Sequence, residues 1–227
     1  MKKTKIKIVD IKKIRFAPEI EVEFPSKVDA YKVMSDKTIK GWDLKSDATL
    51  DNGIEFVPVN ENKLYLTKKG LGEIKKVTKW IKKYRGRVSE RCGLHVHIDI
   101  ENFTDEEVVN ILQSFIRKQR WIVKEFKVNE NRLNEQCSLL PIKWYKKITP
   151  KNIAVLRQTG LWNSQYSSFN RYSALNILCV PDTKSIEFRL YNGCIKYNEL
   201  KKIIKWCLKF VKESVEQDYI RGEKGNG

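Results

Sequence analysis

The residues of this chain best suited to chemistry are His95 and His97, its only two histidines. They lie two positions apart within residues 93–99, where apolar and polar residues alternate. This alternation predicts a β-strand, because successive side chains of a strand point to opposite faces. Both imidazoles and the carboxylate of Asp99 would then share one face. Two imidazoles beside a carboxylate are typical of a metal or phosphate site, whereas a single imidazole is more often a packed core residue.

Other stretches predict strands of the same design, with one apolar face and one ionisable face. Residues 19–24 place three glutamates on one side of a strand, and residues 185–191 place a glutamate and an arginine there. Residues 54–57, which follow an Asn-Gly turn signal, add another glutamate. In one sheet these side chains would gather with the histidines. The ionisable face would comprise Glu19, Glu21, Glu23, Glu55, His95, His97, Asp99, Glu187 and Arg189.

Two interpretations of this face are open from the residues alone. Charged side chains are common on a sheet face that is exposed to water. Alternatively, carboxylates and imidazoles bind a divalent metal while Arg189 binds phosphate oxygens through paired hydrogen bonds. The second interpretation accounts for the paired histidines and for an arginine among carboxylates.

Length and composition predict one folded domain. With 227 residues, 41% of them hydrophobic, the chain can bury a substantial core. We expect residues 1–220 to form this domain and residues 221–227 to be a flexible tail. The five cysteines form no Cys-x-x-Cys pair, which argues against a disulfide framework and a structural zinc site. No apolar run suits a membrane span or a signal peptide, so the sequence predicts a cytoplasmic protein without membrane association.

The formal net charge of +17 arises from 45 basic and 28 acidic residues. The lysines are scattered along the chain, which is typical of a solvated surface. Such a charge also attracts anions, including nucleotides and nucleic acids. A basic nucleic-acid-binding protein, with Trp144 and Tyr145 as candidate aromatic contacts, is therefore an alternative function.

The order of the elements predicts an α+β fold with a largely antiparallel sheet. Helices would cover the apolar face, and the ionisable face would line the site. Apolar periodicity predicts helices at residues 67–84, 104–121, 150–157 and 198–215. Further strands are predicted at residues 42–47 and 175–179, and residues 5–16 predict a strand or a hairpin. Residues 129–149 have no clear period, and we expect a loop that crosses the site.

Several short motifs follow one another along the chain. They are Glu-x-Glu at residues 19–21, Asn-Gly-x-Glu at 52–55, Cys-Gly-Leu-His-Val-His at 92–97, Arg-Tyr followed by Asn at 171–176, and Ile-Glu-Phe-Arg-Leu-Tyr-Asn-Gly at 186–193. Each motif alone is weak, but their order resembles that of the amidoligase family, from about residue 18 to residue 195. These proteins are carboxylate–amine ligases, and the resemblance implies a fold similar to the catalytic domain of glutamine synthetase.

The resemblance also implies a reaction and a set of site residues. The γ-phosphate of ATP would pass to a substrate carboxylate, and an amine would attack the acyl phosphate to give an amide. By position in the motifs, one Mg²⁺ or Mn²⁺ ion would be held by Glu19, His95 and Glu187, and a second by Glu21 and Glu55. His97 would lie near the γ-phosphate of ATP. Arg189 and Arg171 would steady the phosphoryl group.

The chain departs from the family pattern at several positions. Ala17 and Pro18 stand where a glycine usually opens the Glu-x-Glu motif, so the register among Glu19, Glu21 and Glu23 is left open. Other departures, at residues 47–50, 57 and 194, fall on the substrate side, so neither the carboxylate nor the amine is identified. A metal-dependent hydrolase would use the same metal ligands but would leave the phosphate-binding set of His97, Arg189 and Arg171 unexplained. The oligomeric state is also open.

Overall fold

The computed structural model describes residues 9–36, 38, 40–59, 63–144, 147–161 and 170–224. The strands are β1 (Arg15–Glu23), β2 (Trp42–Asp47), β3 (Gly53–Pro58), β4 (Leu64–Tyr65), β5 (Gly93–Asp99), β6 (Leu175–Asn176) and β7 (Ser185–Asn192). The helices are α1 (Lys27–Ser35), α2 (Lys68–Lys83), α3 (Asp105–Glu125), α4 (Glu130–Glu135), α5 (Pro150–Thr159), α6 (Val180–Thr183) and α7 (Tyr197–Lys224), with a 3-10 turn at Ile142–Trp144.

The strands form one sheet in which every pair is antiparallel, in the order β2-β3-β1-β5-β7-β6, with β4 added to the end of β1. The largely antiparallel sheet predicted from the sequence is therefore confirmed. The three strands that carry the histidines and most of the glutamates are neighbours near its centre. Residues far apart in the chain consequently lie side by side.

Strand β1 begins at Arg15, and Pro18 lies inside it. The prediction of a strand or hairpin at residues 5–16 was wrong for residues 9–14, which precede β1 without forming a strand, whereas residues 15–16 belong to β1 itself. A proline has no N–H for a strand partner and is rarely found within a central strand. On one edge, β1 pairs with β4 at residues 15–16 and with β3 at residues 20–23. Pro18 lies in the gap between these two pairings, where no N–H donor is required.

The apolar face of the sheet is covered by α2, α3 and α7, as predicted. Trp80 of α2 packs edge-on against Phe56 of β3, with ring centroids 5.5 Å apart. Phe115 of α3 and Phe210 of α7 each pack against Phe188 of β7 at 5.9 Å. These aromatic contacts fix the helices to the sheet and leave its other face to the ionisable side chains.

Local sequence signals set several of these boundaries. The predicted capping box at the start of α3 is present, with Thr104 and Glu107 each accepting the other's backbone N–H. Helix α1, capped by the Ser26 side chain, was not predicted, because its apolar residues show little periodicity. Helix α7 extends to Lys224, beyond the predicted end at residue 215. The tail predicted from residue 221 thus begins in this helix, and residues 225–227 lie outside the described residues.

Candidate active site

Strand register brings the predicted ionisable residues together in opposed pairs. Strand β1 pairs with β5 on one side and with β3 on the other, and β5 also pairs with β7. The opposed pairs are Glu19–His95, Glu21–Glu55 and His97–Glu187. Side chains from four strands therefore meet on one patch of the sheet.

This patch is buried. His95 is 2% exposed, His97 is 7% exposed and Glu187 is 3% exposed. Burying charged groups is costly unless they are paired or bind an ion. The interpretation of these residues as an ordinary solvated sheet face was therefore wrong, and the interpretation as a site for ions or phosphate is favoured.

His95 lies at the centre of the carboxylates. Its Nδ1 is 3.1 Å from Oε2 of Glu19 and 3.2 Å from Oε1 of Glu187. Its Nε2 is 3.4 Å from Oε1 of Glu21, whose other oxygen, Oε2, accepts a hydrogen bond from the backbone N–H of Gly93. Although burial alone would raise the pKa of Glu19, its close contacts with both histidines hold it well below its usual range.

His97 faces two of the same carboxylates. Its Nδ1 is 2.9 Å from the hydroxyl of Ser185. Its Nε2 is 3.0 Å from Oε1 of Glu19 and 3.9 Å from Oε1 of Glu187, yet this buried nitrogen has no hydrogen-bond partner among the described residues. Burial alone would lower the pKa of His97, but Cys179 and the two carboxylates raise it to about 10.

Two groups of donor atoms are close enough to share a metal ion. One consists of Glu19, Glu55 and His95, and the other of Glu19, His97 and Glu187. Glu19 belongs to both groups. The geometry thus places one imidazole in each group, whereas the family pattern suggests that His95 and Glu187 share an ion and that His97 faces phosphate.

The pKa of Glu55 can be used to test whether these charged side chains repel one another in the metal-free protein. Burial, followed by repulsion from Glu19, raises the pKa of Glu55 to about 8. The folded protein then holds a proton that the unfolded chain releases near its ordinary pKa. We expect the free energy of unfolding to fall as pH rises from about 5 to about 8, measured by urea denaturation with EDTA present.

The informative quantity is the difference between the wild type and Glu55→Gln. The raised pKa of His97 also causes stability to fall at higher pH, so it contributes in both proteins. Glutamine does not titrate, and the decline assigned to Glu55 should be missing from the variant. Equal pH dependence in the two proteins would show that Glu55 is ionised in the folded state.

The two predicted arginines differ in position. Arg189 donates to Oε1 of Glu187 and therefore borders the cluster. Arg171 is exposed and stacks on the ring of Tyr172, 5.4 Å from its centroid. The structure does not bring Arg171 to the carboxylates, and its phosphate-binding role stays a prediction.

Two other predicted members of the ionisable face are engaged elsewhere. Glu23 accepts hydrogen bonds from Ser89 and Arg91 at the far end of β1. Asp99 pairs with Arg15 and Lys63 at the end of β5. Of the three glutamates of β1, Glu19 and Glu21 contact the histidines.

Some site residues were not identified from the sequence. Arg132 of α4 reaches into the cluster and contacts His95, so part of the segment predicted as a loop at residues 129–149 is helical. Asn176 donates to Oε2 of Glu187 at 2.8 Å, and Ser185 holds His97. The signal for Arg132 was indirect: Gly93 begins a strand of larger residues, and a glycine in a strand often marks the close approach of another group, here the guanidinium of Arg132.

The comparisons with known proteins agree with the sequence motifs. Residues 9–211 match the family model for amidoligase enzymes. The chain belongs to the amidoligase family. The matched residues of this amidoligase include every candidate site residue described above. Searches of curated proteins and of solved structures found no match. In the described part of the chain, no helix combines the length and apolar character needed to cross a membrane.

Proposed function

We propose that this amidoligase joins a carboxylate to an amine with ATP, through an acyl phosphate, and that the buried carboxylate–histidine cluster holds two divalent metal ions. The observation that carries the proposal is the position of Glu19 between two groups of possible metal ligands. One of its oxygens faces His95 and the other faces His97. Family membership supports the ligase class. The described residues and the comparisons give no support to the nucleic-acid alternative; Tyr145 and the side chain of Trp144 are outside the description.

The donor set fits Mg²⁺ or Mn²⁺. Both ions bind carboxylate oxygens, and Mn²⁺ also accepts imidazole. The buried Nε2 of His97 has no hydrogen-bond partner among the described residues, which is the state expected of a nitrogen that binds an ion. Several neighbouring carboxylates also create a negative field that a divalent cation would neutralise. The proposed ligands are Glu19, Glu21, Glu55, His95, His97 and Glu187.

The chain's own residues would act mainly by positioning and by charge. Bound metal ions would supply Lewis-acid stabilisation of the phosphate oxygens. Arg189 borders the cluster and can donate paired hydrogen bonds to a phosphoryl group.

In the proposed reaction, the substrate carboxylate attacks the γ-phosphorus of ATP and ADP leaves. The amine then attacks the acyl carbon, releasing phosphate and a proton. Burial of the cluster would limit hydrolysis of the acyl phosphate.

The proposal is tested by calorimetric binding of a non-hydrolysable ATP analogue in the presence and absence of Mn²⁺. We expect Mn²⁺-dependent binding by the wild type and its loss, by at least about 100-fold in affinity, in His95→Ala and Glu187→Ala. Glu101→Ala is the control, because Glu101 is a surface carboxylate paired with Lys184 and Arg15. Absence of nucleotide binding by the folded wild type, together with background ATP turnover across a panel of acids and amines, would contradict the proposal.

A further inference from the structure

Arg132 is a buried cation within the candidate site, and its role is not explained by the motifs. It is 2% exposed. Its Nη1 donates to Oε1 of Gln136 at 2.6 Å, and its Nη2 donates to the backbone oxygen of Arg189 at 2.9 Å. The same Nη2 lies 3.1 Å from Nε2 of His95. The guanidinium therefore joins α4 to β7 and to the central histidine.

A bulge in β7 provides the backbone contact. The register between β5 and β7 shifts between the pairs Leu94–Tyr191 and Val96–Phe188. Two residues of β7 consequently lie opposite His95. A bulge leaves an extra residue outside the regular ladder. The carbonyl of Arg189 is thereby free to accept from Arg132.

The contact between Arg132 and His95 has only one possible polarity. A guanidinium donates hydrogen bonds and does not accept them. Nε2 of His95 must therefore present its lone pair to the guanidinium, which places the ring hydrogen on Nδ1. The neighbours of Nδ1 are carboxylate oxygens of Glu19 and Glu187, which accept. On the Nε2 side the guanidinium, at 3.1 Å, lies closer than the acceptor there, Oε1 of Glu21 at 3.4 Å, so the contacts favour the Nδ1–H tautomer.

We propose that Arg132 is a positioning residue that holds His95 as the Nδ1–H tautomer. With a hydrogen on Nδ1, that nitrogen has no lone pair for a divalent cation, so Arg132 opposes metal binding by Nδ1 of His95. A metal-binding imidazole offers one lone pair and donates its other N–H to an acceptor. Arg132 is a donor, so it cannot accept an N–H from His95 as the partner of a metal-binding imidazole does. At His97, by contrast, Ser185 can accept from Nδ1, and Nε2 faces Oε1 of Glu19, one of the proposed metal ligands. Of the two imidazoles, His97 is thus the one already arranged for a metal.

The tautomer of His95 can be measured directly by ¹⁵N NMR of metal-free protein labelled with ¹⁵N-histidine. The chain has two histidines, so the spectrum contains two imidazoles, and His97→Gln assigns them. We expect His95 as Nδ1–H in the wild type. In Arg132→Met the Nε2–H form should gain population, because Oε1 of Glu21, 3.4 Å away, becomes the available acceptor. An Nε2–H wild type, or a spectrum that Arg132→Met leaves unchanged, would overturn the proposal.

A matched variant, Arg157→Met, distinguishes the proposed effect of Arg132 on His95 from a general loss of stability. Arg157 forms an ion pair through its Nε with Oδ1 of Asp105 at 3.0 Å, and its Nη2 donates to the carbonyls of Phe103 and Ile100, away from the cluster. Arg157→Met should lower the melting temperature without changing the His95 signals. If Arg132→Met does not fold, Arg132→Lys retains the positive charge but cannot reproduce the guanidinium fork, and the same tautomer shift is expected.

The second readout is Mn²⁺ binding, and this half of the inference rests on the proposed function. Removing the guanidinium should tighten Mn²⁺ binding by about tenfold, a size typical of changes beside metal ligands. Arg157→Met should bind Mn²⁺ as the wild type does. Unchanged or weaker binding by folded Arg132→Met would overturn the inference. A wild type that binds no Mn²⁺ would contradict the proposed function instead, while the metal-free spectra still decide the role of Arg132.

Discussion

Glu19→Gln should eliminate Mn²⁺ binding to the whole cluster, not to one half of it. Glu19 is the carboxylate common to both groups of donor atoms, with one oxygen 3.1 Å from Nδ1 of His95 and the other 3.0 Å from Nε2 of His97. A glutamine retains the size of the side chain but loses the negative charge that a divalent cation requires. We expect affinity for Mn²⁺ to fall by on the order of 100-fold or more, measured by calorimetry or by electron paramagnetic resonance of the free ion.

Glu23→Gln is the matched control for this prediction. Glu23 lies on the same strand and is buried, at 5% exposed, but it accepts hydrogen bonds from Ser89 and Arg91. Its replacement should leave Mn²⁺ affinity within about twofold of the wild type, since it contacts neither imidazole. The comparison also decides the register of the Glu-x-Glu motif. If Glu23→Gln abolished binding and Glu19→Gln did not, the cluster around His95 and His97 would not be the metal site.

The ionisable face could be predicted because strand periodicity is a local property of the sequence. Alternation in residues 19–24, 93–99 and 185–191 determines which side chains share a face, whatever the order of the strands. The sequence motifs then identified the family, and the family match confirms it. Alternation does not determine how far along a strand each partner lies. Asp99 and Glu23 were therefore grouped with the site although they lie at strand ends and form ion pairs there.

Arg132 could not be predicted because nothing local marks it. Helix α4 has six residues, too few to show an apolar period, and it begins at a side-chain cap from Asn129. Its approach to His95 depends on the bulge in β7 and on the missing side chain at Gly93. Both are tertiary conditions. A short polar helix between two longer elements is indistinguishable from a loop until the strands beneath it are placed.

Gly93→Ala should disturb the site more than the fold, because the new methyl group would collide with the guanidinium of Arg132. An added Cβ at this position would lie 2.7 Å from Cζ of Arg132. The end of an arginine side chain can move, but here it would lose its contacts with His95 and the carbonyl of Arg189. We expect a loss of about 1–3 kcal/mol in the free energy of unfolding, from crowding and from broken hydrogen bonds. The His95 signals should shift as in Arg132→Met.

Gly72→Ala provides the opposite control. Gly72 lies in helix α2, and an added Cβ there would meet no atom within 4 Å. Alanine favours the helix by up to about 1 kcal/mol over glycine, so this variant should be more stable than the wild type and have unchanged histidine spectra. If Gly93→Ala were as harmless as Gly72→Ala, the guanidinium would not occupy the space above Gly93.

The double variant Gly93→Ala/Arg132→Met separates crowding from any other defect of alanine at residue 93. Methionine lacks the branched end that the new methyl group would strike, so the two substitutions should not add. We expect the double variant to lose less stability than the sum of the single variants, by at least about 0.5 kcal/mol, which is the coupling expected of residues in contact. Strict additivity in urea denaturation would mean that Gly93 is required for a backbone reason, such as the hydrogen bond from its N–H to Glu21. Non-additivity would show that Gly93 of the Cys-Gly-Leu-His-Val-His motif is required because the side chain of Arg132 occupies the space above it. A motif residue would then be explained by an arginine on a helix that has no recognisable sequence pattern.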